Sequence, residues 1–580
     1  MKLTQNIADF VDPKTLSTLL ATLAAGTFAA VTANAQTLPL SYQPQLQVRA
    51  ATGGSAFNLP NGSTFNSSSA SLNDRGQVVV RPNTLGSTSN PGLFFGGHGT
   101  GTVVYNANDG GALLGDPFIN QNNQVTFTRF ASTNAADDGI YVYNHNTGMT
   151  NKITSGPLGA TSYTNPQLND VGVIGMRAKF TTPQALLSYT LATNSFTNYV
   201  TETGGDPGSP YSFLYAPGFN NNNRIAALAN LSNQPSTYRE LRIWNPNGSS
   251  TLVATGDSSA GPTFFAFDNS ISMNNSDFVA FITRTTSAAS SRRIVVSNGT
   301  TTTLFPTVSS GAGFTSLDSF APVINDNGLV AFRGNDNQAT PRNSVFVSDG
   351  VTVQRIAGVG DILQTDLGPR EVGFLMGGVD INNSGAVSFG VQFTSASGGG
   401  GNAVYVAYVR VVPVGAVSRK MHGALGPFDV NLPLTGDVGV EPRQGSGANF
   451  NNHQVVVNFG TPVTFASAAV TSGSAAVDST SISGNEVIIN LRDVANAQRL
   501  QITLVNVNNG SNTSDVVIPM GVLAGDVNGN GSVTTSDISQ VKAQAGTTGP
   551  SNFRSDVVAN GTVNATDISI VKARAGTALP

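Results

Sequence analysis

Two twelve-residue segments near the C-terminus carry side-chain oxygens at a spacing that surrounds a single metal ion. The first runs from Asp526 to Asp537, with oxygen-bearing side chains at positions 1, 3, 5, 9 and 12 and Gly531 at position 6 for a sharp bend. Calcium is a hard ion that takes six to eight oxygen ligands, and this spacing wraps oxygens around one point. The predicted calcium ligands of this first loop, with position 7 contributing its backbone carbonyl, are Asp526, Asn528, Asn530, Ser532, Thr534 and Asp537.

The second segment begins thirty residues further on, at Asp556, and repeats the pattern with one departure. Val558 occupies position 3 and offers no side-chain oxygen, so we expect this loop to hold calcium more weakly or to use a water molecule there. The predicted calcium ligands of this second loop are Asp556, Asn560, Thr562, Asn564 and Asp567.

Each loop leads into a short predicted helix. The helices cover Ile538 to Ala545 and Ile568 to Ala575. Each is followed by a glycine, Gly546 or Gly576, of the kind that terminates helices. A loop with one following helix, present twice, resembles a type I dockerin over residues 523–580. The resemblance implies a small α-helical, EF-hand-like module that binds two calcium ions and docks onto a cohesin domain.

The resemblance also implies which residues contact that partner. Positions 10 and 11 of each loop would face the cohesin, and basic residues of the two helices would contact its rim. These residues are Thr535, Ser536, Ala565 and Thr566 in the loops and Lys542, Lys572 and Arg574 in the helices. The alternative is a calcium-stabilised cap that has no partner.

A repeated segment occupies most of the chain before these loops. A pattern of the type Leu-Asn-Asp-x-Gly, followed by an apolar strand, occurs seven times, and successive copies are 47, 49, 51, 54, 51 and 57 residues apart. This period is the length of one four-stranded blade, so the sequence predicts a seven-bladed β-propeller, with an open solenoid as the alternative. The key asparagines are Asn73, Asn120, Asn169, Asn220, Asn274, Asn325 and Asn382.

The repeat predicts a tight turn before each apolar strand. The residue three positions after each key asparagine is Gly, Asn or Asp, the types that tolerate a left-handed backbone. We expect the key asparagine to hydrogen-bond the backbone of this turn. Hairpins follow at Asn298-Gly299 and Asp349-Gly350. The residues at the predicted left-handed position are Gly76, Asn123, Gly172, Asn223, Asp277, Gly328 and Gly385.

The ends of the repeat array predict how it closes. The seventh repeat lacks a final strand, and a matching segment, Gln47 to Gly53, stands alone before the first repeat, so we expect it to complete the last blade. The segment Asn325 to Phe332 also resembles the NxxGxxAF tandem repeat of secreted bacterial proteins. The resemblance covers about residues 70–410, departs from the pattern where Asn or Asp replaces the glycine, and implies no defined activity.

The remaining segments complete the predicted domain order. Residues 1–35 are expected to be a secretory signal peptide, because an apolar run is followed by Ala-Asn-Ala; a buried hydrophobic helix is the alternative. Residues 36–411 are the predicted propeller. Residues 412–522, with strands near 455–459, 486–491 and 500–505, suggest an immunoglobulin-like β-sandwich. Residues 523–580 are the dockerin-like tail, and the protein is expected to be extracellular or attached to a cell surface.

The composition restricts the function classes. Charged residues make up 11% of the 580 residues, where about 25% is typical, and the net charge is −4. This gives no electrostatic footprint for nucleic acid, and no segment after the leader is apolar enough to span a membrane. Cysteine is missing from the sequence, which excludes disulfides, zinc–thiolate sites and cysteine nucleophiles. The abundance of Gly, Asn, Ser and Thr suits turns and solvated strands and predicts a mainly β protein.

The sequence offers no catalytic motif. It contains no G-x-S-x-G, P-loop or H-E-x-x-H pattern, and its four histidines lack metal-ligand spacing and are expected in loops or on the surface. No catalytic residue is therefore predicted. The first hypothesis is a secreted, non-catalytic propeller that binds a protein or glycan and attaches through its tail. The alternative is a polysaccharide-degrading hydrolase with its carboxylate pair on the propeller.

Overall fold

The computed structural model describes residues 38–65, 70–153, 160–180, 183–258, 264–305, 313–395, 401–510 and 512–580. The predicted signal peptide lies outside these residues. The chain divides into two compact units, one covering Pro44–Tyr408 and the other Val409–Pro580 with the short segment Leu40–Gln43. Both are built mainly of β-strands, as predicted. None of the helices in the described ranges is long and apolar enough to cross a membrane.

Seven antiparallel sheets make up the described part of the first unit. Its first two strands are β1 (Tyr42–Thr52) and β2 (Ser55–Phe57). The strands of the next three sheets are β3 (Ser71–Leu72), β4 (Gln77–Val80), β5 (Gly92–Gly97) and β6 (Thr100–Asn106); β7 (Leu113–Leu114), β8 (Phe118–Ile119), β9 (Gln124–Phe130), β10 (Gly139–Asn144) and β11 (Met149–Ile153); and β12 (Ser162–Leu168), β13 (Val173–Lys179), β14 (Gln184–Thr190) and β15 (Ser195–Thr201).

The other four sheets follow in chain order, and the last of them also includes β1 and β2. Their strands are β16 (Tyr211–Leu214), β17 (Gly218–Phe219), β18 (Ile225–Leu231), β19 (Tyr238–Trp244) and β20 (Ser250–Asp257); β21 (Ala266–Met273), β22 (Val279–Arg284), β23 (Arg292–Ser297) and β24 (Thr302–Leu304); β25 (Phe314–Leu317), β26 (Val323–Ile324), β27 (Val330–Asp336), β28 (Asn343–Ser348) and β29 (Val353–Gly358); and β30 (Ile362–Thr365), β31 (Gly368–Ile381), β32 (Val387–Phe393) and β33 (Asn402–Val409).

The predicted turn is present in all seven repeats. Every residue at the predicted left-handed position has a positive φ, between 57° and 85°. In the first repeat the Asn73 side-chain oxygen accepts the backbone N–H groups of Arg75 and Gln77 at 3.1 and 3.0 Å. The side-chain oxygen of each key asparagine therefore fixes the turn that starts the following strand, as predicted.

The side-chain nitrogens of the same asparagines join each sheet to the next. Each Nδ2 donates to the backbone carbonyl of the key asparagine in the following repeat, at 2.9–3.3 Å. The last, Asn382, donates to the first, Asn73, at 2.9 Å, so the series closes on itself. All seven side chains are buried. The open array considered as an alternative does not fit this closure.

The N-terminal strand completes the seventh sheet. β1 lies between β2 and β33 in a six-stranded sheet, which confirms the predicted role of the segment before the repeats. Val48 and Val404 of this sheet share an apolar cluster with Val78 and Phe94 of the first repeat. Apolar packing and hydrogen bonds therefore both link the last repeat to the first.

Replacing Asn325 with alanine is expected to destabilise the first unit by roughly 2–4 kcal/mol, because a buried donor and a buried acceptor lose their partners. Its side chain accepts from the Leu329 N–H and donates to the Asn382 carbonyl, both at 2.9 Å. Denaturant unfolding of the full chain measures the change. Asn337→Ala, at an exposed position, is the matched control and should shift the free energy of unfolding by less than about 0.5 kcal/mol. Equal shifts for both variants would contradict the structural role of the closed series of asparagine hydrogen bonds.

The second unit contains two larger sheets and a two-stranded pair. The strands are β34 (Gly415–Met421), β35 (Pro427–Asn431), β36 (Val440–Glu441), β37 (His453–Asn458), β38 (Ser467–Ser472), β39 (Ala476–Ser483), β40 (Glu486–Arg492), β41 (Gln498–Asn508), β42 (Thr513–Val522), β43 (Gly546–Thr547) and β44 (Thr562–Val563). The larger sheets have the strand orders β35-β34-β37-β40-β39 and β36-β42-β41-β38. Residues from both, such as Val455 and Ile502, share one core, so the two sheets form a sandwich.

Two helices follow the sandwich, α1 (Thr535–Ala543) and α2 (Ala565–Arg574). Each begins three residues earlier than the sequence predicted, because position 9 of the loop is the N-cap and forms a capping box with position 12. The helices also end slightly before the predicted residues. Val541 and Val571 are fully buried and share a small core with Leu523, which places both helices against the end of the sandwich.

Candidate metal centre

The first loop presents a buried carboxylate surrounded by its own backbone. Asp526 is fully buried, and its Oδ1 accepts N–H groups from Gly529 and Asn530 at 2.9 and 3.1 Å. Gly531 donates to Oδ2 at 2.8 Å. Burial raises the pKa of Asp526, and the nearby Asp537 carboxylate acts in the same direction. A bound cation would favour the charged form of Asp526.

The other predicted ligands of the first loop lie along the same turn. Asp537 is buried at the start of α1, where its Oδ1 accepts the Asn528 N–H at 3.2 Å and its Oδ2 accepts the Thr534 N–H at 2.9 Å. Asn528 and Asn530 are exposed, and Ser532 is half-buried. Carboxylate, amide, hydroxyl and carbonyl oxygens make up the whole donor set. This set fits a hard cation such as calcium.

The second loop differs at its first position. Asp556 is fully buried, and its Oδ2 accepts from Gly561 N at 2.8 Å, Thr548 Oγ1 at 2.8 Å and His422 Nδ1 at 2.7 Å. Three donors occupy the lone pairs of this oxygen. Burial alone would raise the pKa of Asp556, but the hydrogen bonds from His422 and Thr548 outweigh it and lower the pKa.

The sandwich covers this loop. Val558, at position 3, is buried, and its carbonyl accepts from the Ser446 hydroxyl at 3.2 Å. A Cβ on Gly423 would lie 2.6 Å from the Asn560 carbonyl oxygen, so that sandwich turn packs directly on the loop. Position 3 lacks a side-chain oxygen, and three donors engage Oδ2 of the position 1 carboxylate, whose Oδ1 accepts the Asn560 N–H at 3.1 Å. The donor set of the second loop therefore does not fit calcium as the first does.

The last positions of the second loop nevertheless repeat those of the first. Asn564 caps α2, and Asp567 is buried at the start of that helix, where its Oδ1 accepts the Val558 N–H at 3.1 Å. Thr562, at position 7, is exposed. Positions 9 and 12 thus start the helix in both loops, whatever the ligands at positions 1 and 3.

The predicted partner-binding residues lie on the surface of the tail. Six are exposed and Arg574 is half-buried. The backbone carbonyls of Thr535 and Ala565 accept hydrogen bonds from serine hydroxyls one helical turn later. The exposed residues are Thr535, Ser536, Lys542, Ala565, Thr566 and Lys572.

A network of buried charged and polar side chains contacts the second loop at Asp556. Arg443 forms a two-point ion pair with Glu441, with Nε–Oε1 and Nη2–Oε2 distances of 2.7 Å. Its Nη1 contacts His422 Nε2 at 3.0 Å, and its Nη2 donates to the Ser418 carbonyl at 2.9 Å. The side chains of Glu441, Arg443 and His422 are fully buried. Glu441, Arg443, His422 and Asp556 therefore form one continuous chain of polar contacts.

The prediction that the histidines lie in loops or on the surface holds for three of the four. His98 and His145 lie in exposed turns, and His422 lies in a loop but is buried, whereas His453 is buried in β37. Nothing in the local sequence around His422 indicates its burial, because its partner Asp556 lies 134 residues later. The one indication in the sequence that the second loop has another role is Val558 at position 3, which lacks a side-chain oxygen.

Acidification below about pH 6.5 is expected to destabilise the second unit through His453. Burial, together with the cations of Lys420 and Arg443, lowers the pKa of His453 from 6.5 to about 3, so the folded state keeps it neutral while the unfolded chain takes up a proton. Between pH 6.5 and 5 the loss is roughly 2 kcal/mol. Unfolding measured at pH 7 and pH 5 tests this. His453→Gln removes the titrating group, and its stability should change less over that range; an identical pH slope would contradict the assignment.

The first unit contains a cavity of about 440 Å³. It is bounded by strands of several repeats, and its lining includes Asp116, Asn165, Gln167, Phe118 and Asp380. Burial raises the pKa of Asp380 to about 6, and its Oδ2 accepts the Leu72 N–H at 2.8 Å. Across the described part of the chain, no three His, Asp or Glu side chains form a metal-binding cluster.

Comparisons with known proteins find distant structural neighbours of this chain. No curated protein sequence matches the chain. TolB from Acinetobacter baumannii matches at 11% identity and a TM-score of 0.31, over 46% of this chain and 61% of its own. The β-propeller domain of the trilobed protease from Pyrococcus furiosus matches at 11% identity and a TM-score of 0.41, over 60% of this chain and 95% of its own. An oligogalacturonate lyase from Vibrio parahaemolyticus matches at 11% identity and a TM-score of 0.38, over 65% of this chain and 98% of its own.

The C-terminal tail has a family match of its own. The family is the Dockerin type I domain, and the match covers residues 524–574. This range holds both twelve-residue loops and both helices. Residues 524–574 are therefore a type I dockerin domain.

Proposed function

We propose that this chain is a secreted, non-catalytic binding protein whose dockerin holds calcium and docks onto a cohesin domain of another protein. The observation that carries the proposal is the first loop, where a dockerin segment places the buried Asp526 and Asp537 carboxylates among amide and hydroxyl oxygens. Type I dockerin domains bind calcium, and this donor set suits that ion.

Calcium binding would support docking through α1. Asp537 supplies position 12 of the loop and is also the third residue of the helix, so an ion held there fixes the start of α1. Thr535 and Ser536 are exposed on the first turn, and Lys542 on the last. We propose that these three residues, with Ala565, Thr566, Lys572 and Arg574 of the second repeat, contact the cohesin.

The first unit, in this proposal, carries the surface that binds a ligand. We propose that the seven sheets of the first unit form a seven-bladed β-propeller, supported by the closed series of asparagine hydrogen bonds. Its loops would bind a protein or glycan. We propose that the sandwich is an immunoglobulin-like domain and that residues 1–35 direct export.

Calcium titration of the full chain, followed by binding to a panel of purified type I cohesins, tests this function. Calorimetry should detect calcium binding, and at least one cohesin should bind in calcium and release in EDTA. A chain that binds calcium but no cohesin would support the alternative of a calcium-stabilised cap. A chain that binds no calcium would overturn the proposal.

One observation favours the enzymatic alternative. Asp380 lines the cavity of the first unit, and its pKa of about 6 is the value a general acid for glycoside hydrolysis needs. However, its oxygens already accept the backbone N–H groups of Leu72 and Ile381. Hydrolysis of polysaccharides by the wild type, abolished in Asp380→Asn, would establish this alternative; inactivity on a broad panel would leave the binding function.

A further inference from the structure

We propose that the second dockerin loop does not bind calcium and that the sandwich holds it through His422 instead. The chain then takes one calcium ion, in the first loop. The stoichiometry rests on the function proposed for the first loop, whereas the docking of the second loop rests on its own contacts.

The first argument is the hydrogen bonding of the position 1 carboxylates. Oδ2 of Asp526 accepts one backbone N–H, from Gly531. The corresponding oxygen of Asp556 accepts the equivalent N–H of Gly561 and, in addition, Thr548 Oγ1 and His422 Nδ1. A calcium ion at this oxygen would have to displace two buried donors from outside the loop.

The second argument is the direction of the His422 hydrogen bond. Arg443 contacts His422 Nε2 through Nη1 at 3.0 Å, and a guanidinium only donates, so Nε2 is the acceptor. The ring proton is therefore assigned to Nδ1, which faces Asp556 Oδ2 at 2.7 Å. Arg443 is itself fixed by Glu441. The network thus places a hydrogen-bond donor, His422 Nδ1, at the Asp556 oxygen that a calcium ion would need as a ligand.

The third argument is the cover over the loop backbone. Gly445 N donates to the Val557 carbonyl at 3.1 Å, and Ser446 Oγ donates to the Val558 carbonyl at 3.2 Å. A Cβ on Gly561 would lie 3.1 Å from the His422 carbonyl oxygen. In the first loop the residues at positions 3 to 5 are all exposed. The sandwich therefore covers the backbone of the second loop at its early positions, whereas positions 3 to 5 of the first loop are open, although Val527 and Val533 of that loop also pack with Val440.

Aromatic packing excludes water from this contact. Phe428 of the sandwich stacks on Phe553, which precedes the second loop, with ring centroids 5.5 Å apart and an angle of 9°. The His422 ring meets both of them edge-on. In such a site the hydrogen bond to Asp556 is stronger than in water, and an unpaired carboxylate would be costly. Calcium would then order the first repeat, while the second repeat folds with the sandwich in its absence.

Hydrogen–deuterium exchange of the full chain, in EDTA and in calcium, tests the inference. Second-loop amides near 556–563 should be equally protected in both conditions, whereas first-loop amides near 526–533 should slow when calcium is added. His422→Ala should speed second-loop exchange roughly 10- to 100-fold in both conditions, as expected for losing a buried hydrogen bond. Ser551→Ala, at an exposed position shortly before the same loop, is the matched control and should leave exchange unchanged.

The outcomes separate this inference from the proposed function. Slower second-loop exchange on calcium addition, or two calcium ions per chain by calorimetry, would overturn the inference that the second loop binds no calcium. An unresponsive first loop would refute calcium binding there, while second-loop protection in EDTA, lost in His422→Ala, would still support the docked loop. If His422→Ala fails to fold, Thr548→Val removes a single donor to the same oxygen, and the wild-type stoichiometry decides.

Discussion

Full-length protein carrying Asp526→Ala is expected to bind calcium at least about 100-fold more weakly than the wild type, because the loop loses a buried carboxylate that has no substitute. The alanine also leaves the N–H groups of Gly529, Asn530 and Gly531 without their shared acceptor. Calorimetric titration measures the affinity. Thermal unfolding supplies a second readout, since saturating calcium should raise the midpoint of the wild type and leave that of the variant unchanged.

The matched control for this prediction is Asn560→Ala, at position 5 of the second loop. Asn560 is exposed and its side-chain oxygen accepts only a local N–H, from Thr562 at 3.0 Å. We expect its calcium affinity and stoichiometry to equal those of the wild type. The opposite result would be tight calcium binding by Asp526→Ala and weakened calcium binding by Asn560→Ala. It would mean that the second loop, and not the first, binds calcium.

The features that sequence could predict are those specified within a few residues. Gly76 and Asn123 adopt the left-handed backbone that their types allow, and the asparagine three residues earlier bonds the turn it precedes. In the first loop the local spacing also places Asp526 and Asp537 in one turn, where both carboxylates accept backbone N–H groups of the loop. Calcium binding there stays a prediction. The helix starts were missed by three residues because position 9 acts as an N-cap as well as a predicted ligand.

The features that sequence could not predict join residues far apart. The seven asparagines were recognised as turn residues, but their second role, a hydrogen bond to the next repeat, depends on how sheets pack. His422 lies 134 residues before Asp556, and their contact exists only because the sandwich packs on the dockerin. Position 3 of the second loop is Val558, which is buried and whose carbonyl accepts from Ser446. The sequence shows the missing side-chain oxygen, but the sandwich that covers this position depends on tertiary packing.

Arg443→Ala is expected to be the most destabilising single change in the second unit, by about 3–5 kcal/mol, because it leaves the buried Glu441 carboxylate without its counter-charge. Burial alone would raise the pKa of Glu441, and Arg443 holds it well below its ordinary value. The variant also removes the donor to His422 Nε2 and to the Ser418 carbonyl. Because Glu441 can be protonated in the variant, the loss should be largest at neutral pH and smaller in acid.

Denaturant unfolding of the second unit in the full chain measures this change, with Arg419→Ala as the matched control. Arg419 pairs with Asp429 at 2.8 Å, but both side chains are about a third exposed, so its loss should cost no more than about 1 kcal/mol. A double variant, Glu441→Leu with Arg443→Met, removes both charges and should recover part of the loss, since the penalty comes from the unpaired carboxylate. Equal costs for Arg443→Ala and Arg419→Ala would contradict the large stabilising contribution assigned to the buried Arg443–Glu441 pair.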